Sequence, residues 1–404
     1  MCTTTLRKIF IDLLHMETAK SVIIVGAGLA GLTAAIHLSK IGYQIIIIDN
    51  QDFPKHKVCG EYISNEVIPY FDWLELDIAT LKPTEIDQVI FSTVKGKVLK
   101  AKLPLGGFGL SRYSLDYYLY RKAVRQKCIV IQELVTNIDY FNDIFSVTLA
   151  NNEVVKAEIV LGAFGKRSQL DQKLDRNFFK KKSPWLAVKG HYKGNFPNNV
   201  VGLHNFKGGY CGVSKVENDI INICYLADYE TFKSYKNIEE YEKKVVCENP
   251  NLQTIFENAT PLFEKPITIG QISFNKKEPV EKHILMIGDT AGLIHPLCGN
   301  GMAIAIHSAK IASELVDDYF NDRINSRNAL EKKYTKLWNH NFKNRLKIGR
   351  LLAKVLRNQK LSEILMRILI LMPFLLPQII KNTHGKTLAK PKNDHQYKIQ
   401  NERA

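Results

Sequence analysis

The chain lacks every cysteine pattern that would build a framework. Its seven cysteines, Cys2, Cys59, Cys128, Cys211, Cys224, Cys247 and Cys298, form no CxxC pair and no metal-ligand spacing. That excludes a disulfide scaffold and a structural zinc site, and reads as reduced thiols in a cytoplasmic protein. No uninterrupted apolar run reaches the roughly 20 residues that a membrane-spanning helix needs. The only apolar cluster near the N-terminus, residues 9–14, is broken by Asp12 and is too short for a secretory signal. Met16 leaves residues 1–15 as an appendage or a misplaced start, with no function assigned. Acidic charge is scarce in one place. Residues 343–404 hold 14 Lys and Arg against Glu363, Asp394 and Glu402, which is +11 of a total net charge of +16. The rest of the chain is nearly balanced, so a nucleic-acid-binding body is excluded.

What is present is globular. With 404 residues, 45% hydrophobic and 24% charged, the chain suffices for a large core and two or three domains. Residues 21–50 carry the first informative pattern. A β run at 22–25 leads directly into Gly26-x-Gly28-x-x-Gly31, a helical pattern over 29–40 ends at Gly42, and a second apolar strand at 43–48 ends at Asp49. This is a βαβ dinucleotide fingerprint in its full context. Gly26 makes the turn, Gly28 admits a pyrophosphate to the backbone, and Gly31 lets helix and strand pack. The helix N-terminus offers unpaired N–H groups to the phosphates. Asp49 is spaced to accept from a ribose hydroxyl.

Residues 284–309 supply a second block: an apolar strand, Gly288-Asp289, a short loop with Pro296, and Gly299-x-Gly301 opening a long amphipathic helix. A nicotinamide dehydrogenase has no need of it. A flavin does, because its ribityl chain and ring extend beyond the pyrophosphate crevice. Asp289 is a candidate partner for a ribityl hydroxyl, and the helix from Gly301 would point its positive end at the ring.

With these blocks and the segment Gly109-Leu110-Ser111-Arg112-Tyr113-Ser114-Leu115-Asp116 between them, the chain resembles the FAD-dependent superfamily of aromatic hydroxylases and geranylgeranyl reductases over roughly residues 20–310. The resemblance implies an α/β fold: a Rossmann-like FAD-binding domain (20–80, 107–170 and 266–320), a mainly β substrate domain (81–106 and 171–265), and a C-terminal helical region (321–404). It implies FAD contacts from Gly26, Gly28, Ala30, Gly31, Asp49, Arg112, Asp289, Pro296, Gly299, Gly301 and Met302, and an adenine contact from the backbone of Val135. The segment Lys57-Val58-Cys59-Gly60-Glu61 is similar to the K-x-C-G-G motif of geranylgeranyl reductases, with Glu61 replacing the second glycine. Cys59 is read either as a partly ionised thiol near the flavin or as a small buried hydrophobe. Phe164 stands where many hydroxylases carry an aspartate for NAD(P)H. NAD(P)H remains a possible electron donor, with Lys166 and Arg167 as phosphate partners or as a solvated turn.

Cys59 has no neighbouring cysteine, so disulfide-reductase chemistry is set aside. Trp73, Trp185 and Trp338 form no Trp-x-Trp, so halogenation is set aside too. Strands are expected at 200–204, 209–215 and 221–226, and as a pair around Lys95-Gly96. Tyr210 and Cys211, in a glycine-rich stretch, are candidate substrate contacts, against a plain sheet edge. His295 is a candidate proton carrier or a structural hydrogen-bonding group. Lys343, Lys347, Arg350, Lys354 and Arg357 fall on one helix face opposite Ile348, Leu351, Leu352, Val355 and Leu356. With the uncharged stretch 368–380, they suggest a membrane-surface contact through 343–380, against a core helix with solvated charges. Residues 386–404 read as disordered.

The expected enzyme is an FAD-dependent oxidoreductase acting on a hydrophobic small molecule, free in the cytoplasm or peripheral at the inner face of the membrane. Its chemistry is hydride transfer to a C=C bond; the alternatives are a monooxygenase and a non-catalytic flavin electron carrier. No nucleic-acid partner is expected, and the oligomeric state is open.

Overall fold

The computed structural model describes residues 20–391 apart from 236 and 373. The expectation for residues 1–15, and that for 392–404, lie outside the described residues.

The fingerprint folds as its pattern dictates. Strand β1 (Ser21–Val25) is buried throughout, because a parallel strand is covered on both faces. Helix α1 (Leu29–Lys40) follows, and Gly42, at φ +96°, supplies the left-handed residue that ends it. Strand β2 (Gln44–Ile48) then pairs parallel to β1. A six-stranded sheet grows around this unit. Its order is β17 (Val280–Glu281), β18 (Ile284–Met286), β10 (Ile159–Gly162), β1, β2, β6 (Ile129–Ile131). Helix α2 (Arg112–Arg125) and the long α3 (Gly301–Phe320) pack against α1.

A nine-stranded sheet stands beyond the carboxyl ends of β1 and β10. Its spine is β11 (Trp185–Gly194), β14 (Ile221–Asp228), β13 (Gly209–Lys215), β12 (Val200–Phe206), β4 (Thr84–Ser92) and β5 (Val98–Gly109), with β15 (Ala259–Pro261) and β3 (Tyr62–Ser64) at the edges and β16 (Ile267–Ile269) against β11. Each strand foreseen from the alternation is present. A small sheet of β7 (Val135–Phe141), β8 (Ile144–Leu149) and β9 (Val154–Ala157) completes the β structure.

Three helices close the chain: α4 (Arg327–Arg357), α5 (Gln359–Leu371) and α6 (Leu375–Thr383). Here the helical period was legible but its inner side was not. The buried seam of α4 is Phe342, Leu346, Gly349 and Ala353. Of the expected apolar face, Leu351 is 60% exposed, while Ile348, Leu352 and Val355 are half-buried. The reason is steric. A Cβ on Gly349 would lie 3.3 Å from Cys298 Sγ, so α4 docks closely on the loop that precedes α3. The expected disorder from 386 also gives way to packing through 391. Leu388 is buried and donates its N–H to Glu66 O at 2.7 Å, and Pro391 is buried as well.

Candidate active site

One cavity of about 880 Å³ runs from the carboxyl end of β1, between the two large sheets, to the inner faces of α5 and α6. Its two halves differ in chemistry.

The first half is polar and begins at the glycine turn. A Cβ on Gly26 would meet Ala163 O at 2.4 Å, and one on Gly31 would meet Gly26 O at 2.0 Å, so both glycines are enforced by packing. Gly28 is different. The nearest atoms to a Cβ there are Lys57 Nζ at 3.8 Å and Arg112 Nη2 at 3.9 Å. Space in front of a helix N-terminus, faced by two cations, is the cradle a pyrophosphate requires. Asp116, fully buried, holds both cations: Arg112 binds it through Nε and Nη2 at 2.7 and 2.6 Å, and Lys57 lies 3.2 Å away. Burial would raise the Asp116 carboxyl, but Arg112 and Lys57 hold it below its ordinary value. Asp49 accepts from Ala27 N at 2.7 Å and Gln51 N at 3.0 Å, and faces the cavity at the ribose position. Ala30, Val135 and Asp289 line the same space, as do Pro296, Gly299, Gly301 and Met302 farther along. Gly31 does not line it and serves packing. The residues fit FAD along its whole length.

The Lys57–Glu61 segment sits at the junction of the halves. Three consecutive carbonyls there each accept from a different part of the chain. Lys189 Nζ donates to Lys57 O at 3.2 Å, Lys166 Nζ to Val58 O at 2.9 Å, and Asn222 Nδ2 to Cys59 O at 3.3 Å. Glu61 answers the question its identity raised. Its φ is +54°, the left-handed conformation a glycine would supply. The carboxylate, wholly buried, accepts from Lys189 Nζ, from His191 Nε2 at 2.7 Å and from Arg112 N at 2.7 Å. Burial would raise this carboxyl, and Lys189 with His191 lowers it below the ordinary range. The segment is thereby immobilised, with Cys59 Sγ in the cavity 3.5 Å from Met302 Sδ. Lys189 and His191 were not foreseen. Their signal was a row of ionisable residues, 189, 191 and 193, at alternate positions of one strand. Lys57 and Asp116 were seen only as parts of motifs.

The second half is an apolar chamber. Phe91, Leu103, Leu203, Leu293, Leu369 and Ile380 are among its walls. Tyr210 lines it and is kept neutral, because burial raises its hydroxyl well above the ordinary value. Cys224 and Cys298 also reach the cavity, their thiols pushed up to about 12 by burial.

Besides Gly31, two candidates fall outside the cavity. Cys211 follows Tyr210 on β13, so strand alternation turns it to the opposite face, where it is fully buried with Val213, Ile223 and Tyr225. His295 is enclosed by Trp185, Tyr210 and Phe274, at ring-centroid distances of 5.8, 5.5 and 4.7 Å. Among the described residues neither ring nitrogen has a hydrogen-bond partner, and burial lowers its pKa to about 3. Among the described residues no cluster offers metal-ligand geometry.

Beside the loop of 296–302 lies a polar knot. Glu66, fully buried, accepts from Asn300 Nδ2 at 3.1 Å and from Gly385 N at 2.7 Å, with Arg345 Nη1 at 3.6 Å. Asn300, the residue that opens α3, in turn accepts from Arg345 Nη1 at 3.3 Å.

Comparison with known proteins agrees with this fold. Residues 24–55 match the NAD(P)-binding Rossmann-like domain, and residues 220–356 match the squalene epoxidase family. Digeranylgeranylglycerophospholipid reductase 1 of Methanothermobacter thermautotrophicus is 25% identical over 74% of this chain and 77% of its own. Kynurenine 3-monooxygenase of Flavobacterium johnsoniae is 23% identical over 76% and 75%. The flavin-dependent brominase Bmp2 superposes with a TM-score of 0.76 over 96% of this chain and 99% of its own, at 17% identity, which is a likeness of fold alone. The reactions in these names diverge into reduction, oxygenation and bromination, and the chain belongs to the superfamily within which they do so, the FAD-dependent oxidoreductases.

Proposed function

We propose that the protein reduces a C=C bond of a lipophilic, prenyl-like or polyketide-like substrate with bound FAD. The observation that carries this is the single cavity joining the nucleotide cradle to an apolar chamber. FAD held there, once reduced by an external two-electron donor, would supply the hydride. The chain supplies the rest. Gly28, Lys57 and Arg112 anchor the pyrophosphate, Asp49 and Asp289 hold hydroxyls, and the loop of 296–302 borders the ring. The chamber walls exclude water and select for apolar substrate by burial. Reduction also needs a proton, and we assign that to Cys59, supported by its thiol lining the cavity at the junction.

The match of residues 220–356 to squalene epoxidase favours a second reading, oxygenation of the same class of substrate. Two assays separate them. Anaerobic incubation of the reduced enzyme with prenyl lipids should give a product heavier by two hydrogens, and Cys59→Ser should keep FAD yet slow that turnover by roughly tenfold or more. A product formed only in air, and carrying oxygen-18 from labelled O2, would replace the first reading by the second.

A further inference from the structure

Helix α5 is apolar on two opposite sides. Leu365, Met366 and Leu369 face inward and line the chamber together with Leu376, Ile379 and Ile380 of α6. Leu361, Ile364, Ile368 and Leu371 recur at steps of three, four and three on the other face, and all four are exposed, Leu371 by 81%. Met372 and Phe374, at the bend into α6, are exposed too. The two helices meet at 117°, and no single described helix is long and apolar enough to cross a membrane. An apolar face of this size in water marks a contact surface.

The charges around it say what covers it. Lys360 and Arg367 flank the bare face on α5, Lys347 and Lys354 stand exposed on α4, and Lys381 on α6. Between residues 343 and 391 there are eleven Lys and Arg and one acid, Glu363. Basic side chains that rim an apolar helix face match the headgroups and acyl boundary of an anionic lipid surface. A protein partner would need a concentrated acidic surface around an apolar centre, whereas a membrane offers both everywhere.

We propose that the α5–α6 corner docks on an anionic lipid surface and forms the wall through which a bilayer-dissolved substrate passes into the chamber. The docking stands on the outer face and its basic neighbours; the passage rests on the lipophilic substrate proposed above. The two faces are opposite sides of one helix, exposed at Ile368 and cavity-lining at Leu369, so lipid and chamber would be separated by one helix diameter, roughly 10 Å. Such a route avoids transferring a long apolar chain through water.

The FAD-loaded full chain tests this by co-sedimentation with phosphatidylglycerol and phosphatidylcholine vesicles. The expected result is binding to the anionic vesicles that weakens with salt and falls more than roughly tenfold in Ile364→Glu/Ile368→Glu. The double variant should keep its FAD, because neither side chain lines the cavity. Vesicles that leave the native protein in the supernatant, or equal sedimentation of the variant, would overturn the docking. So would light scattering that finds a dimer which the two substitutions dissociate. For the passage, a diazirine-bearing isoprenoid alcohol in the vesicles should label residues 365–369 on the chamber side in the native protein and not in the variant. Adducts confined to the outer face would overturn it. Failure of the reduction assay with sedimentation intact would strike the substrate reading and leave the docking standing.

Discussion

His295 shows what burial does to a residue whose type suggests chemistry. Enclosed by three aromatic rings, it titrates near 3 when folded, against about 6.5 in an unfolded chain. Between those values the unfolded chain binds a proton that the folded one refuses, so this contribution to stability is complete above pH 6.5 and is lost as the pH falls. At pH 5 the loss for this one group is up to about 2 kcal/mol. His295→Phe should therefore lose less Tm than the native protein between pH 7 and pH 5; an equal loss in both would place the acid sensitivity elsewhere. Glu61 teaches the converse. Its carboxylate is a fixed anchor because Lys189 and His191 arrive from about 130 residues away. No local pattern announces such a meeting. The left-handed backbone at 61 was implied only by the glycine that the motif elsewhere carries.

At the scale of elements, legibility followed locality. The β1–α1–β2 unit could be read residue by residue because its glycines, cap and strands act within 30 positions. Gly28 is the position of that unit with open space before it, faced by Lys57 and Arg112. Nothing lies within 3.7 Å of a Cβ built there, so Gly28→Val should leave the melting temperature close to native while lowering FAD affinity by at least about a hundredfold. Equilibrium dialysis against FAD, beside a thermal melt of the apoprotein, checks both halves. Unchanged affinity would move the pyrophosphate away from this turn. Helix α4 was harder to read. The sequence shows that it has two faces, but which one meets protein is decided by partners far along the chain, here Cys298 under Gly349. The same holds for β13, where alternation separates Tyr210 from Cys211 yet does not say which of them faces the cavity.

Across the whole molecule, the knot at Glu66 sets an order of events during synthesis. The ribosome delivers Glu66 early and Asn300 much later, but Gly385 and Leu388, which donate to the Glu66 carboxylate and carbonyl, come last of all. Until they arrive, a buried carboxylate is short of a donor, and Asn300 at the start of α3 is tied to an unfinished partner. The nucleotide fingerprint can fold in the meantime. The knot beside the loop of 296–302 is completed only when the C-terminal segment comes back across residues 65–67. A nascent chain stopped at residue 383 should thus take up FAD through the cradle and release it faster than the full chain, by roughly tenfold if one charge-assisted hydrogen bond is lost. Equal release rates would show that the loop of 296–302 is self-supporting. If the rates differ, cofactor retention reports that the chain has been made through residue 388, more than 300 positions past the nucleotide fingerprint.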